Sequence, residues 1–472
     1  MATFLQHATR LAIVAAGGQH MTPVFAVVGH PNKGKSSIVA TLAQDDGVAI
    51  SNQSGTTRLA ERIEVTVGTS QYTLIDTPGF QRPTKVLQWL QQHADSADKR
   101  QAAIARFVAD IDCQRQFPDE VELLTPIMNG AAILYVVDGS RPYGNEYEAE
   151  MEILRWTGQA SMALINPIEN EDYIQHWQQA LGQYFKVVRV FNAMQADAEK
   201  QRSVLEAFSI IKQEWQGAIE QLIGEYQTVR ENQQQQSVQI LASLLTQLCL
   251  YQTSQKVLTK HQAQLLKPAL ASRYISGMNA IEKDYHNKLK RLFRYNHLTS
   301  ELYDLPLDDG LFDTEKWILW GLNRNRLAAA AAMAGAVTGA GIDLALAGSS
   351  LMLGAIGGGL VAGGSAWFGA DKIAEFKIKG LPVGGFEAHQ GPINNRNFPY
   401  VVLGRFLFLE QALRTRTHAR RDSIVVKESD LTEKIALLEG STQRDLHQAL
   451  DRLRQQKPVD DLVGVLRPLF DD

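Results

Sequence analysis

Val24-Phe25-Ala26-Val27-Val28-Gly29-His30-Pro31-Asn32-Lys33-Gly34-Lys35-Ser36-Ser37 is the stretch that decides the fold. Its five apolar residues read as a buried strand, a tight glycine-rich turn follows, and Ser37-Ile38-Val39-Ala40-Thr41-Leu42 reads as the start of a helix. The pattern G-x-x-x-x-G-K-[ST] does its chemistry only between such a strand and such a helix, and both flanks are right. Loop amides and the positive end of the helix then converge on one place, which suits a phosphate group. Gly29 and Gly34 leave room for close approach. Lys35 is placed to reach the outer phosphates, and the Ser36 hydroxyl to ligate a magnesium ion that the phosphates also hold.

Further along, Val48-Ala49-Ile50-Ser51-Asn52-Gln53-Ser54-Gly55-Thr56-Thr57-Arg58 leads into Arg62-Ile63-Glu64-Val65-Thr66-Val67 and Tyr72-Thr73-Leu74-Ile75-Asp76. The alternation predicts two strands of a hairpin, the second ending at a carboxylate. Asp76-Thr77-Pro78-Gly79 is then a second anchor. A strand-end aspartate can face magnesium, and the Gly79 amide can sense a terminal phosphate and reorganise when it leaves.

GHPNKGKS, Gly55-Thr56-Thr57-Arg58, DTPG and the strand Ala132-Ile133-Leu134-Tyr135-Val136-Val137-Asp138 together resemble the GTPase domain of the TrmE–Era–EngA group, over roughly residues 22–195. The resemblance implies GTP with Mg2+ as ligands. Contacts to nucleotide then fall to Gly29, Asn32, Lys33, Gly34, Lys35, Ser36 and Ser37, and to Asn166, Glu169 and Asn192 on the base side. It implies catalytic roles for Lys35, Thr57 and Gly79, and a metal set of Ser36, Thr57 and Asp76. Asn32 matches the asparagine that potassium-using members place beside the phosphates, so K+ dependence is implied too. Phe80 follows DTPG where Ras-like proteins keep a water-orienting glutamine, and no catalytic base is identifiable; Gln81 and Gln88 read as surface or helix filling.

The guanine motif departs from the group's N-K-x-D, appearing as Asn166-Pro167-Ile168-Glu169 after the strand Ser161–Ile165. Asn166 and Glu169 keep the expected bonds to the base, while Pro167 removes the lysine that packs along it. Base discrimination weaker than in the group, with GTP still preferred over ATP, is therefore expected. Asn192-Ala193, after Val187-Val188-Arg189-Val190-Phe191, fits the last element of the guanine site.

The 472 residues exceed what one core serves, so more than one domain is expected. A formal net charge of −4 gives no electrostatic case for nucleic acid. Cys113 and Cys249 stand far apart, without histidines at ligand spacing, and make neither a disulfide framework nor a zinc site. Residues 1–21 read as a leader too short in apolar run for a secretory signal, with Met21 an alternative start. A cytoplasmic location is expected.

The expected architecture is an α/β P-loop NTPase domain at 22–195, with a mixed, mostly parallel sheet and helices on both faces. A helical insertion at about 83–125 carries Val86, Leu87, Trp89, Leu90, Ile104, Phe107 and Ile111. It lies behind DTPG, either as a lever or partner surface or as plain decoration. A mainly α-helical second half follows: a bundle segment at 196–300, with an amphipathic stripe from Leu205 to Tyr226 that resumes at Val238, and a helical region at 301–472.

Within it, 327–370 is a Gly/Ala-rich stretch whose glycine pairs Gly335/Gly339 and Gly354/Gly358 favour close helix packing, read as a helical hairpin. Tryptophan and basic flanks suit bilayer contact at the inner membrane. Asp343, which would cost about 2.5–3.5 kcal/mol at a helix centre in a membrane, suits only a hairpin tip. Both a membrane-dipping and a tightly packed soluble hairpin stay open. The segment 381–399 reads as loop, and Arg414-Thr415-Arg416-Thr417-His418-Ala419-Arg420-Arg421 as a basic helix end facing solvent, lipid phosphate or nucleic acid. This layout resembles a bacterial family with an Era-like GTPase fused to a C-terminal part of unknown function.

Two functional readings follow. One is a slow Mg-dependent GTPase switch that repositions the second half; the other is an interaction or membrane-remodelling protein that binds nucleotide with negligible hydrolysis. An unidentified protein partner and a nucleotide-dependent dimer are further expectations. RNA association would rest on fold likeness alone.

Overall fold

A computed structural model describes residues 22–44, 59–295, 311, 374–382, 384–420, 434–435 and 437–471. The leader, the loop with Thr57 and the 327–370 hairpin expected from sequence lie outside the described residues. The chain divides into two compact units, one formed by Met1–Glu231 with Arg416–Arg421, the other by Asn232–Thr415 with Asp422–Asp472.

The first unit is built on β1 (Val24–Val28), β2 (Glu61–Val67), β3 (Ser70–Asp76), β4 (Ala132–Asp138), β5 (Ser161–Asn166) and β6 (Val188–Val190). Their order is β2-β3-β1-β4-β5-β6, with only the β2–β3 pair antiparallel. This is the expected mixed, mostly parallel sheet. Both faces are covered, which is why the inner parallel strands β1, β4 and β5 are apolar along nearly their whole length, whereas the edge strand β2 alternates. Phe25 and Val27 of β1 point into one core, Ala26 and Val28 into the other.

The first core takes side chains from α1 (Lys35–Ala43), α8 (Ala198–Ile211) and the start of α9 (Gln216–Leu250). Phe25 sits edge-on to Phe208 at 4.7 Å and to Trp215 at 5.3 Å, a geometry aromatic rings favour. The opposite core is filled by α2 (Pro83–His93), α3 (Arg100–Ala109), α4 (Ile111–Gln116), α5 (Pro118–Met128), α6 (Glu146–Trp156) and α7 (Ile174–Leu181). The insertion is therefore a layer of the domain. Val86, Leu90, Ile104 and Phe107 are buried as their helical spacing predicts; Ile111, read in the same stripe, is exposed.

Because Leu205, Phe208, Ile219 and Leu222 pack on the sheet, the first unit runs on to Glu231, past the domain edge read from sequence at residue 195. The basic run near 414–421 is only partly a surface feature: Arg420 is exposed and Arg414 and Arg416 are half-buried, but Thr417, His418 and Ala419 between them are buried, and Ala419 joins the first unit's core. Its small apolar side chain lets the segment lie against that core.

The second unit contains the rest of α9, then α10 (Lys260–Leu265), α11 (Lys267–Leu292), α12 (Phe398–Thr415), α13 (Gly440–Arg454) and α14 (Leu462–Leu466). It also contains an antiparallel sheet, β7 (Thr253–Val257), β8 (Ala374–Gly380) and β9 (Phe386–Ile393), in the order β7-β9-β8. This overturns the reading of 381–399 as loop. Phe376 and Ile378 alternate with Glu375, Lys377 and Lys379, a period of two, and pack with Val257, Phe386 and Ala388 against Ala263 and Leu270. Among the described residues no helix is long and apolar enough to cross a membrane.

The helical core of this unit holds an ion pair. Arg405 Nε donates to Glu282 Oε1 at 2.6 Å and a terminal guanidinium nitrogen to Oε2 at 3.1 Å. One turn from Glu282, His286 is buried, and desolvation lowers its pKa to about 4, against the pull of Glu282 and with help from Arg405 and Lys290. A histidine kept neutral by folding binds its proton more readily in the unfolded chain. The stability it contributes is thus full above the ordinary histidine pKa and is lost as pH falls from 6.5 towards 4, by about 2 kcal/mol at pH 5. Urea titrations of wild type and His286→Gln at pH 8 and pH 5 measure this: the wild type should lose that much more than the variant, and equal losses would contradict it.

Candidate functional site

The loop Gly29–Gly34 leaves the C-terminal end of β1, at the middle of the sheet, and enters α1. Its shape requires glycine at two points. Gly29 has φ +143°, and a Cβ there would lie 2.3 Å from the Val136 carbonyl oxygen of β4. Gly34 has φ +80°, and its Cβ would meet the Asn166 amide at 2.3 Å. Asn32 also takes a left-handed backbone, φ 61°, and is exposed.

Lys35 is buried and folds back over its own loop, donating to the carbonyls of His30 at 3.1 Å and Gly29 at 3.4 Å. Desolvation lowers its pKa, with Asp76 and Glu150 opposing. Ser36 donates to Asp76 Oδ2 at 2.8 Å, so the two oxygen ligands read from sequence meet across the β1–β3 pair. A hydroxyl and a carboxylate with no nitrogen or sulfur is the donor chemistry of a hard cation, and the residues present fit magnesium. Thr57, the third expected ligand, is outside the described residues.

The DTPG turn lies against the phosphate loop. Thr77 Oγ1 donates to the Val27 carbonyl at 2.8 Å, and Phe80 N to the Gly29 carbonyl at 3.3 Å. A Cβ on Gly79 would come within 2.6 Å of Pro31 N. Only glycine lets the turn come this close. Phe80 is buried in the core, while Gln81 and Gln88 are exposed.

On the base side, Asn166 is buried at the end of β5 and spans two loops: its Nδ2 donates to the Lys33 carbonyl at 3.3 Å and its Oδ1 accepts from Ala193 N at 3.2 Å. Asn192 Nδ2 donates to the Pro167 carbonyl at 3.1 Å. Glu169 stays largely exposed, with Arg141 at 3.9 Å. Lys33 is buried, 3.8 Å from Asp138 and facing the Tyr147 ring; burial lowers its pKa, and Asp138 opposes. Ser37 lies partly buried in the first turn of α1. All the expected residues except Thr57 thus lie at the carboxyl-terminal ends of the parallel strands, on the phosphate-loop side of the sheet.

Sequence reasoning missed the polar support behind this loop. Glu150 of α6 is buried, and its carboxylate accepts from Tyr135 at 2.9 Å and pairs with His30 Nδ1 at 2.9 Å. Desolvation raises its pKa, and His30, Tyr135 and Lys35 oppose the rise. The signal was present: Glu150 is in phase with Tyr147, Met151 and Leu154, all buried, so an acid on a core-facing stripe called for a partner. Glu120 of α5, also buried, was missed for the same reason.

A family model described as "50S ribosome-binding GTPase" matches residues 24–155, and one described as "Domain of unknown function (DUF3482)" matches residues 178–462. GTPase Der of Mycoplasma pneumoniae is 35% identical over 116 residues, 24% of this chain and 25% of that protein. GTPase Der of Nitrosomonas europaea is 40% identical over 78 residues, 16% of this chain and 17% of that protein. The chain thus spans about a quarter or less of the curated relatives it matches. A solved Aquifex aeolicus Era variant bound to GDP.AlF4- aligns with 57% of this chain and 89% of its own at 13% identity, with a TM-score of 0.29.

Proposed function

The chain belongs to the DUF3482 family, and from that premise we propose that it is a GTP-hydrolysing switch whose nucleotide site is the amino-terminal unit. The observation that carries this reading is the gathering of the phosphate loop, the Ser36–Asp76 pair and Asn166 at the carboxyl-terminal ends of the parallel strands, within the stretch matched by the GTPase family model or next to it. Lys35 gives up the carbonyls of Gly29 and His30 and turns to the β- and γ-phosphates. The loop amides and the amino-terminal end of α1 add to the same field. Ser36 and Asp76, joined by Thr57, would hold magnesium, which when bound supplies the positive charge that the phosphate oxygens need. Asn32 is the position for K+.

On the base side Asn166 locks the base loop to the phosphate loop, and Glu169 supplies a carboxylate to guanine. Gly79, pressed against Pro31, reports the terminal phosphate to the segment behind it. Coupling onward is supported by the β2–β3 hairpin between the two nucleotide loops. Thr69 at its tip donates to Glu225 of α9 at 2.6 Å, and Tyr72 bonds Tyr226 at 3.0 Å. α9 then continues to Leu250.

Single-turnover phosphate release with labelled GTP and Mg2+, competed by GDP and by ATP, tests the reading. Release blocked by GDP and much less by ATP is the expected result. Binding without release would favour the rival reading, a nucleotide-held interaction protein, and absence of binding would remove both.

A further inference from the structure

Glu120 stands on the core face of α5 with Leu123, Leu124 and Ile127, all fully buried. A carboxylate there is costly unless it is bonded. Its Oε1 accepts from the backbone amides of Gln81, at 2.9 Å, and of Arg82. These amides begin two residues beyond Gly79 and open α2, whose positive end favours the carboxylate. The Arg82 guanidinium lies over the Phe117 ring, at the start of α5, at 5.2 Å.

Glu122 points the other way, about 200° around the helix. Its Oε1 accepts from Ala60 N at 2.9 Å, three residues beyond Thr57 and immediately before β2. One helix of the insertion thus holds backbone two residues beyond Gly79 and three residues beyond Thr57, the two positions to which the proposed function gives contact with the terminal phosphate. Glu122 is only partly buried, so its bond lies outside the core that Leu123, Leu124 and Ile127 fill.

Resting on the hydrolytic reading above, we propose that Glu120 and Glu122 are positioning residues for GTP hydrolysis. They clamp the segments behind Gly79 and Thr57 to α5, so that the insertion sets how the two loops meet the γ-phosphate. The consequence is regulatory: whatever displaces α5 changes the rate. Both acids act through backbone amides and touch no nucleotide.

Single-turnover GTP hydrolysis and GDP affinity of the full chain, measured for wild type, Glu122→Ala, Glu120→Ala and Glu120→Gln, test this. Glu122→Ala, at a partly buried position, should lower the hydrolysis rate about 10-fold, in keeping with the roughly 100-fold cost of a 1 Å misplacement, while GDP affinity stays within about 2-fold. Glu120→Gln, which retains the accepting oxygen, should recover most of what Glu120→Ala loses. Rates unchanged in Glu122→Ala and Glu120→Ala, or rate and GDP affinity falling together in Glu122→Ala, would overturn the inference while leaving the hydrolytic reading intact. Absence of hydrolysis by the wild type would instead remove that reading, and this inference with it.

Discussion

Replacing Lys35 by alanine is expected to lower single-turnover GTP hydrolysis by at least about 100-fold, the scale on which removing one donor from a developing oxyanion acts. The same substitution should leave the thermal midpoint unchanged or raise it. Lys35 is buried with its ammonium on two carbonyl oxygens of its own loop, and burial already holds its pKa below the ordinary lysine value. Its charge is therefore a burden on the folded chain until an anion arrives. The two readouts separate a nucleotide role from a packing role. A variant that loses stability and keeps hydrolysis would show Lys35 to be part of the scaffold and would remove the main support of the proposed function.

The second large effect is expected in the other unit. Arg405→Leu should destabilise it by about 3–5 kcal/mol, because the substitution strands the Glu282 carboxylate in the interior. Adding Glu282→Leu should return most of the loss, since the cost comes from an unpaired buried charge and not from the missing bond itself. The single variant should also lose less at pH 5 than at pH 8. Arg405 helps to keep His286 neutral, so its removal lets that imidazole take a proton next to the orphaned carboxylate. Urea unfolding of the three chains at both pH values gives the comparison. Arg405→Leu and the double variant being equally unstable would mean that Arg405 acts through packing alone.

The two halves differ in how readily they were read. In the first, apolar runs of strand length, ended by glycine, by a carboxylate or by asparagine, sit where the sheet needs them, because a parallel strand buried on both faces must be apolar nearly from end to end. Val24–Val28, Ala132–Asp138 and Ser161–Asn166 are such strands, and the residues at their ends carry the site. In the second half, Ala374–Gly380 alternates visibly, yet its neighbour Phe386–Ile393 contains glycine and proline and has no comparable signal. A strand of that kind is defined by its partners, here β7 and β8 on either side. The segment near Ala419 shows the same limit. Its charge density predicts exposure, which Arg420 keeps, but Thr417, His418 and Ala419 are buried, and Ala419 packs with residues far away in sequence.

By itself the sequence determined the phosphate loop, the hairpin that follows it, the carboxylate facing Ser36 and the asparagine of the base loop. Each is written in residues adjacent in the chain or in one strand leading into one turn, although the meeting of Ser36 with Asp76, 40 residues on, needs β1 and β3 to pair. Tertiary structure alone decided that the insertion is a core layer and that Glu150 lies behind His30. It also decided that Glu120 and Glu122 reach the backbone beyond both nucleotide loops, and that Glu282 meets Arg405. The physical reason is common to all of these: a buried acid announces that it needs a partner, but which donor meets it depends on how distant segments pack, and no local pattern encodes that.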